Sequence, residues 1–201
     1  KGFTTEATRE LWEYFAAYPI YWLEKTGHPA GTPKNQSYKG IDGLRCDFAQ
    51  GLPNLFWEYT INKTRSVKWD FLFMAESLDG YRTVGGTSRH GVGYRSSRHF
   101  DILNENMVFY WRDNFFDYLG YGDGPQPETY PTWKAFDDRR NAFDVSPILL
   151  NITSHDEIYP NNSQWRLAYA YAIQSAMDGV PMLLYGQEAG AQNDANNYAG
   201  T

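Results

Sequence analysis

Apolar positions along the chain follow two alternating rhythms. Short apolar runs recur near residues 41–46, 70–75, 100–103, 147–152 and 180–185, and each is bounded by turn-forming or polar residues, as buried strands are. Between the runs the spacing changes to three and four. Over 5–25, Leu11, Trp12 and Phe15, with Tyr18 and Tyr21, form one stripe behind Thr4 or Thr5 as N-cap, and Pro19 must bend or divide that helix. Pro53 suits a first helical turn and opens a helix to about Val67. Further helices are predicted over 105–119, 132–143 and 163–177. Residues 27–39, 77–97 and 125–131 read as loops, the second of them Gly- and Arg-rich and long. Strands separated by helices at this spacing indicate parallel βαβ units and an α/β fold.

Three of the predicted strands end in an acid. Gly40-Ile41-Asp42-Gly43-Leu44-Arg45-Cys46-Asp47 closes on an arginine and an aspartate two apart, which period-2 alternation turns to the same side. Taken alone, Arg45-x-Asp47 reads first as an architectural ion pair. Asp70-Phe71-Leu72-Phe73-Met74-Ala75-Glu76-Ser77 and the run from Pro147 through His155-Asp156-Glu157 change that, because they place Glu76 and Asp156 at two more strand ends.

In this order, Arg45-x-Asp47, Glu76 and His155-Asp156 resemble the second, third and fourth motif regions of the α-amylase family, glycoside hydrolase family 13. Met182-Leu183-Leu184-Tyr185-Gly186-Gln187-Glu188 is similar to that family's last barrel strand. The resemblance implies a segment of a (β/α)8 TIM barrel, about strands 4 to 8, with residues 1–201 forming a partial catalytic domain that lacks the first three strands and any C-terminal β domain. Five βα units are too few to close an eight-stranded barrel, which takes about 250 residues. The remaining barrel strands are therefore expected from a longer parent chain, since a free segment would leave unpaired edges.

Strand spacing brings Asp47 and Glu76 close together at a barrel mouth, as a retaining glycosidase requires. Arg45 should keep Asp47 ionised as nucleophile, while the apolar run before Glu76 and the nearby acids should raise its pKa, as suits a general acid/base. By resemblance alone, Asp156 is the transition-state stabiliser, and Arg45 and His155 bind substrate. The implied reaction is cleavage of α-1,4-glucosidic bonds in starch, glycogen or maltooligosaccharides. An α-glucosidase, a glucanotransferase and a non-catalytic glucan-binding homologue are the alternatives; the last would be expected to lose one of the three acids, and all three are present. Glu157 and Glu188 read as structural or peripheral. The sequence departs from the family where Gln50 and Gly51 replace a frequent Lys-His pair, and Ser154 a frequent asparagine. By the resemblance, Gln50 and Gly51 do not supply the family's usual leaving-group contact or a backbone ligand of its structural calcium, so a structural calcium is without support from this segment.

Composition narrows the partners. With 24 acidic against 18 basic residues the formal charge is −6, which argues against nucleic acid. Aromatic residues make up 17% and can stack on sugars as readily as fill a core. A lone cysteine, Cys46, excludes an internal disulfide framework. No apolar run approaches the ~18 residues of a membrane span, so no membrane partner is expected; the family resemblance favours a secreted or periplasmic setting over a cytoplasmic one. His28, His90, His99 and His155 show no metal-ligand spacing, and the chemistry requires no cofactor.

Overall fold

The computed structural model of the chain describes residues 5–76, 78–79, 83–84, 87–88, 91–92, 99–104, 146–147, 149–150, 164–186 and 188. Helix α1 spans Glu6–Ala16 and α2 spans Tyr18–Lys25. Thr5 caps α1, its side-chain oxygen accepting from the Thr8 N–H at 3.1 Å, one of the donors a helix start leaves unpaired. The break at Ala17 is the division expected of Pro19. This proline lies in the first turn of α2, where its missing N–H costs nothing, whereas a continuous helix would need that N–H for the Phe15 carbonyl.

Strand β1 (Gly43–Cys46) leads through a short 3-10 turn (Ala49–Gly51) into α3 (Asn54–Arg65), which returns the chain to β2 (Leu72–Glu76). Phe56, Trp57, Thr60, Ile61 and Thr64 are the buried residues of α3, a helical spacing that lays one face on the sheet. Phe73 and Ala75 of β2 join Phe56, Trp57 and Ile61 in the core, with Phe100, Leu103 and Leu150 from beyond. Trp57 and Phe100 meet edge to face at 5.2 Å, a favoured aromatic geometry.

Within the predicted 77–97 loop, β3 (Leu78–Asp79) pairs antiparallel with β6 (Gly91–Val92), and β4 (Thr83–Val84) with β5 (Thr87–Ser88). The glycine-rich stretch thus carries two nested ladders where the sequence suggested none. Strand β7 (Ile102–Asn104) then pairs parallel with β2, as β1 does on its other side. Strand β8 (Leu149–Leu150) pairs parallel with β9 (Val180–Pro181), and helix α4 (Gln164–Ser175) lies between them in sequence. The Leu103 N–H donates to the Pro147 carbonyl at 3.0 Å and joins the two sheets.

All five predicted strands contain a strand among the described residues, with shifted limits. The first begins at Gly43 rather than 41, and the second at Leu72, so that Glu76 is its last residue. The third starts after Asp101, whose carboxylate accepts twice from Arg65 Nη2, at 2.6 and 2.7 Å, and from the Phe73 N–H at 2.7 Å. The fifth is only Val180–Pro181. The predicted helices over 105–119 and 132–143, and residues 151–152 of the fourth strand, lie outside the described residues.

The opposite, N-terminal end of β1 and β2 is held by buried polar groups. Lys68 is buried, and its ammonium donates to the Ile41 carbonyl at 3.0 Å and to Asp42 Oδ1 at 2.9 Å. The ring nitrogens of buried His28 lie 3.1 Å from the Lys39 carbonyl and 3.3 Å from that of Val67. These contacts fasten the 27–39 loop beneath the sheet, away from the strand ends that carry the acids. No helix among the described residues is long and apolar enough to cross a membrane.

Candidate active site

The register of β1 on β2 sets Arg45 opposite Met74 and Cys46 opposite Ala75. Because side chains alternate along each strand, Arg45 and Asp47 share a face with Met74 and Glu76. Cys46 falls on the other face and is buried; burial pushes its thiol up to about 12 against the opposing pull of Arg45. A thiol so placed is no nucleophile near neutral pH, so the chemistry available at these strand ends belongs to the carboxylates.

Arg45 holds both. Its Nη1 lies 2.7 Å from Asp47 Oδ1 and its Nη2 lies 3.2 Å from Glu76 Oε2. The planar fork of a guanidinium can reach two carboxylates at once, and its charge offsets the repulsion that two close acids would otherwise suffer. The surroundings differ sharply across the bridge: the Asp47 side chain is 79% exposed and that of Glu76 only 14%. The remaining guanidinium nitrogen, Nε, is buried without a hydrogen-bond partner, an expensive arrangement for a charged donor.

A second donor reaches Glu76. The backbone N–H of Phe48 gives a 2.9 Å hydrogen bond to the same Oε2. Phe48 makes that contact from the left-handed region, at φ 46° and ψ 44°, a conformation a bulky residue adopts at a cost of about 1–2 kcal/mol. Behind it, the Trp57 indole N–H donates to the Ala49 carbonyl at 2.7 Å and anchors the 3-10 turn to α3. The site thus rests on a strand end, a strained turn and a core tryptophan.

Two features of this geometry were not anticipated in the sequence. The arginine expected to hold Asp47 ionised also contacts Glu76, and the carboxyl group expected among apolar residues and other acids accepts from a cation and an N–H. The contribution of Phe48 has no sequence signal, since nothing in Asp47-Phe48-Ala49 announces a positive φ. His155 and Asp156 lie outside the described residues, so their relation to Asp47 and Glu76 is not described. Glu188 is exposed. Among the described residues no group of three or more His, Cys, Asp or Glu side chains could hold a metal ion.

No protein-family model and no curated protein matches the chain. Solved structures do. An α-amylase from Lactobacillus plantarum superposes with a TM-score of 0.66 at 19% identity, covering 94% of this chain and 41% of its own. The α-amylase of Geobacillus thermoleovorans in complex with acarbose gives a TM-score of 0.68 at 18% identity, covering 96% and 40%. A debranching enzyme from Nostoc punctiforme, soaked with acarbose, gives 0.57 at 17% identity, covering 92% and 38%. At these identities the likeness is one of fold: the chain has the architecture of part of an α-amylase-type structure and spans about two fifths of the length of the structures it matches.

Proposed function

We propose that the chain is part of the catalytic barrel of a retaining α-glucan hydrolase, α-amylase-like, that cleaves α-1,4-glucosidic bonds in starch, glycogen or maltooligosaccharides. The observation that carries this reading is the Arg45 bridge between two carboxyl groups at the C-terminal ends of neighbouring parallel strands, the end at which such barrels place their chemistry. In this reading residues 1–201 supply about strands 4 to 8 of the barrel, and the remaining strands belong to a longer parent chain.

Asp47 is the nucleophile and Glu76 the general acid/base. In the first step an oxygen of Asp47 attacks the anomeric carbon while Glu76 gives its proton to the leaving glycosidic oxygen, so that one C–O bond forms as another breaks. In the second, Glu76 takes a proton from water, whose oxygen displaces Asp47 and releases the sugar with its configuration retained. The contacts to Glu76 from Phe48 and Arg45 both fall on Oε2, and in this reading Oε1 carries the transferred proton. One guanidinium binding both carboxyl groups is compatible with the ~5–5.5 Å separation of a retaining pair. Asp156 stabilises the oxocarbenium-like transition state, and Arg45 and His155 bind the sugar beside it.

The test is the products formed from soluble starch and maltotriose. A hydrolase of the proposed kind releases short maltooligosaccharides from starch, with the newly formed reducing end first seen as the α-anomer by proton NMR. Initial release of the β-anomer would overturn the retaining assignment. Longer oligosaccharides appearing from maltotriose would identify a glucanotransferase, and no products at all would remove the enzymatic reading.

A further inference from the structure

The ring of Phe48 is unused by the chemistry above, yet it is carried on the backbone nitrogen that touches the general acid. We infer that Phe48 is a stacking platform for a glucose ring beside the scissile bond, a specificity-determining residue that couples sugar occupancy to the position of Glu76; this rests on the hydrolase reading. Three observations place it there. The Phe48 N–H lies 2.9 Å from Glu76 Oε2, and the side chain departs from the α-carbon next to that nitrogen, so the ring begins within one residue's reach of the reacting groups. Phe48 is 62% exposed, like Leu52 and Leu55 nearby, whereas Cys46, Ala49, Phe56 and Trp57 are buried. Gly51 makes its seat: a β-carbon there would come within 2.2 Å of the Phe48 ring, so the ring is backed by bare backbone on that side.

An isolated exposed phenylalanine is ordinary. This one has its backbone in the left-handed region with its N–H on Glu76, so its α-carbon is placed beside the acid, and its ring lies against Gly51. An exposed, electron-rich face suits the axial C–H face of a glucose unit, which is apolar and slightly positive. A sugar pressed on the ring would bear on the same residue whose N–H fixes Glu76.

The experiment compares Phe48→Gly and Phe48→Trp in the full chain. Glycine keeps the positive φ without strain and removes only the ring, whereas tryptophan keeps a stacking face. Phe48→Gly is expected to raise KM for maltoheptaose about tenfold, with the larger part of the loss in kcat/KM carried by KM, and Phe48→Trp to restore KM to within about threefold. Calorimetric binding of maltoheptaose in a Glu76→Gln background should weaken by the same factor with Phe48→Gly. An unchanged KM and binding constant in a protein that still hydrolyses maltoheptaose would overturn the platform alone, as would a loss confined to kcat, which would assign Phe48 to holding Glu76 through its backbone. Absence of both hydrolysis and binding in the unaltered protein would overturn the hydrolase reading and this inference together.

Discussion

At the scale of single residues, Arg45 does more than the Arg-x-Asp spacing announces. The alternation of a strand was enough to place Arg45 and Asp47 on one side, but not to show that the same guanidinium also reaches Glu76 across β2, because inter-strand register is a tertiary property. Arg45→Lys is therefore expected to lower kcat/KM on maltooligosaccharides by about 10²-fold or more. A lysine ammonium is a point charge and cannot span two carboxylates as the guanidinium does. Activity within threefold of the unaltered protein would show that the bridge is architectural. Cys46, one residue on, supplies a pH signature. Its ordinary value of 9.0 is raised to about 12 by burial, so folded and unfolded chains bind this proton equally below pH 9. Between about 9 and 12 the unfolded chain loses the proton first, and stability falls as pH rises. Urea denaturation from pH 8 to 11 should show that decline, and Cys46→Ala should make it shallower.

At the scale of elements, periodicity located β1, β2, β7, β8 and β9 because each lies in a short apolar run flanked by turn residues, while the two-residue strands β3 to β6 in the glycine-rich stretch have no such run; it also placed the α1–α2 break near Pro19 for the reason proline always imposes. What it missed are features set by partners distant in sequence. Nothing in the sequence pattern marks Lys68 as buried, yet it is, with the carbonyl of Ile41 and the carboxylate of Asp42 accepting from its ammonium. Asp101 reads as part of a strand, yet it stands before β7 as the acceptor for Arg65 and the Phe73 N–H. Replacing it with asparagine removes the charge from three hydrogen bonds that tie α3 to β2 and β7. Asp101→Asn should destabilise the fold by about 2 kcal/mol, the scale of charge-assisted bonds, without altering KM for the sugar. A urea midpoint equal to that of the unaltered protein would show that the pair contributes only geometry.

At the scale of the whole molecule, the order of acids along the chain was legible because strand ends repeat with the βα unit, and a parallel sheet gathers what the sequence separates. The described residues bring two of the three together, Asp47 and Glu76, on adjacent strands. The fold they belong to matches about two fifths of larger α-amylase structures. Leu72 is 46% exposed on the face that also carries Arg45 and Glu76, the face that the proposed barrel would enclose. The central claim is that Asp47 bonds covalently to glucose while Glu76 serves as acid and base. Its most direct test is mass spectrometry of the full chain carrying Glu76→Gln, treated with a maltooligosaccharyl fluoride, whose leaving group departs without acid assistance. The account predicts a glycosyl adduct on the peptide containing Asp47, absent when Asp47 is changed to asparagine. Hydrolysis of the fluoride with no adduct on Asp47, or an adduct on another residue, would contradict it.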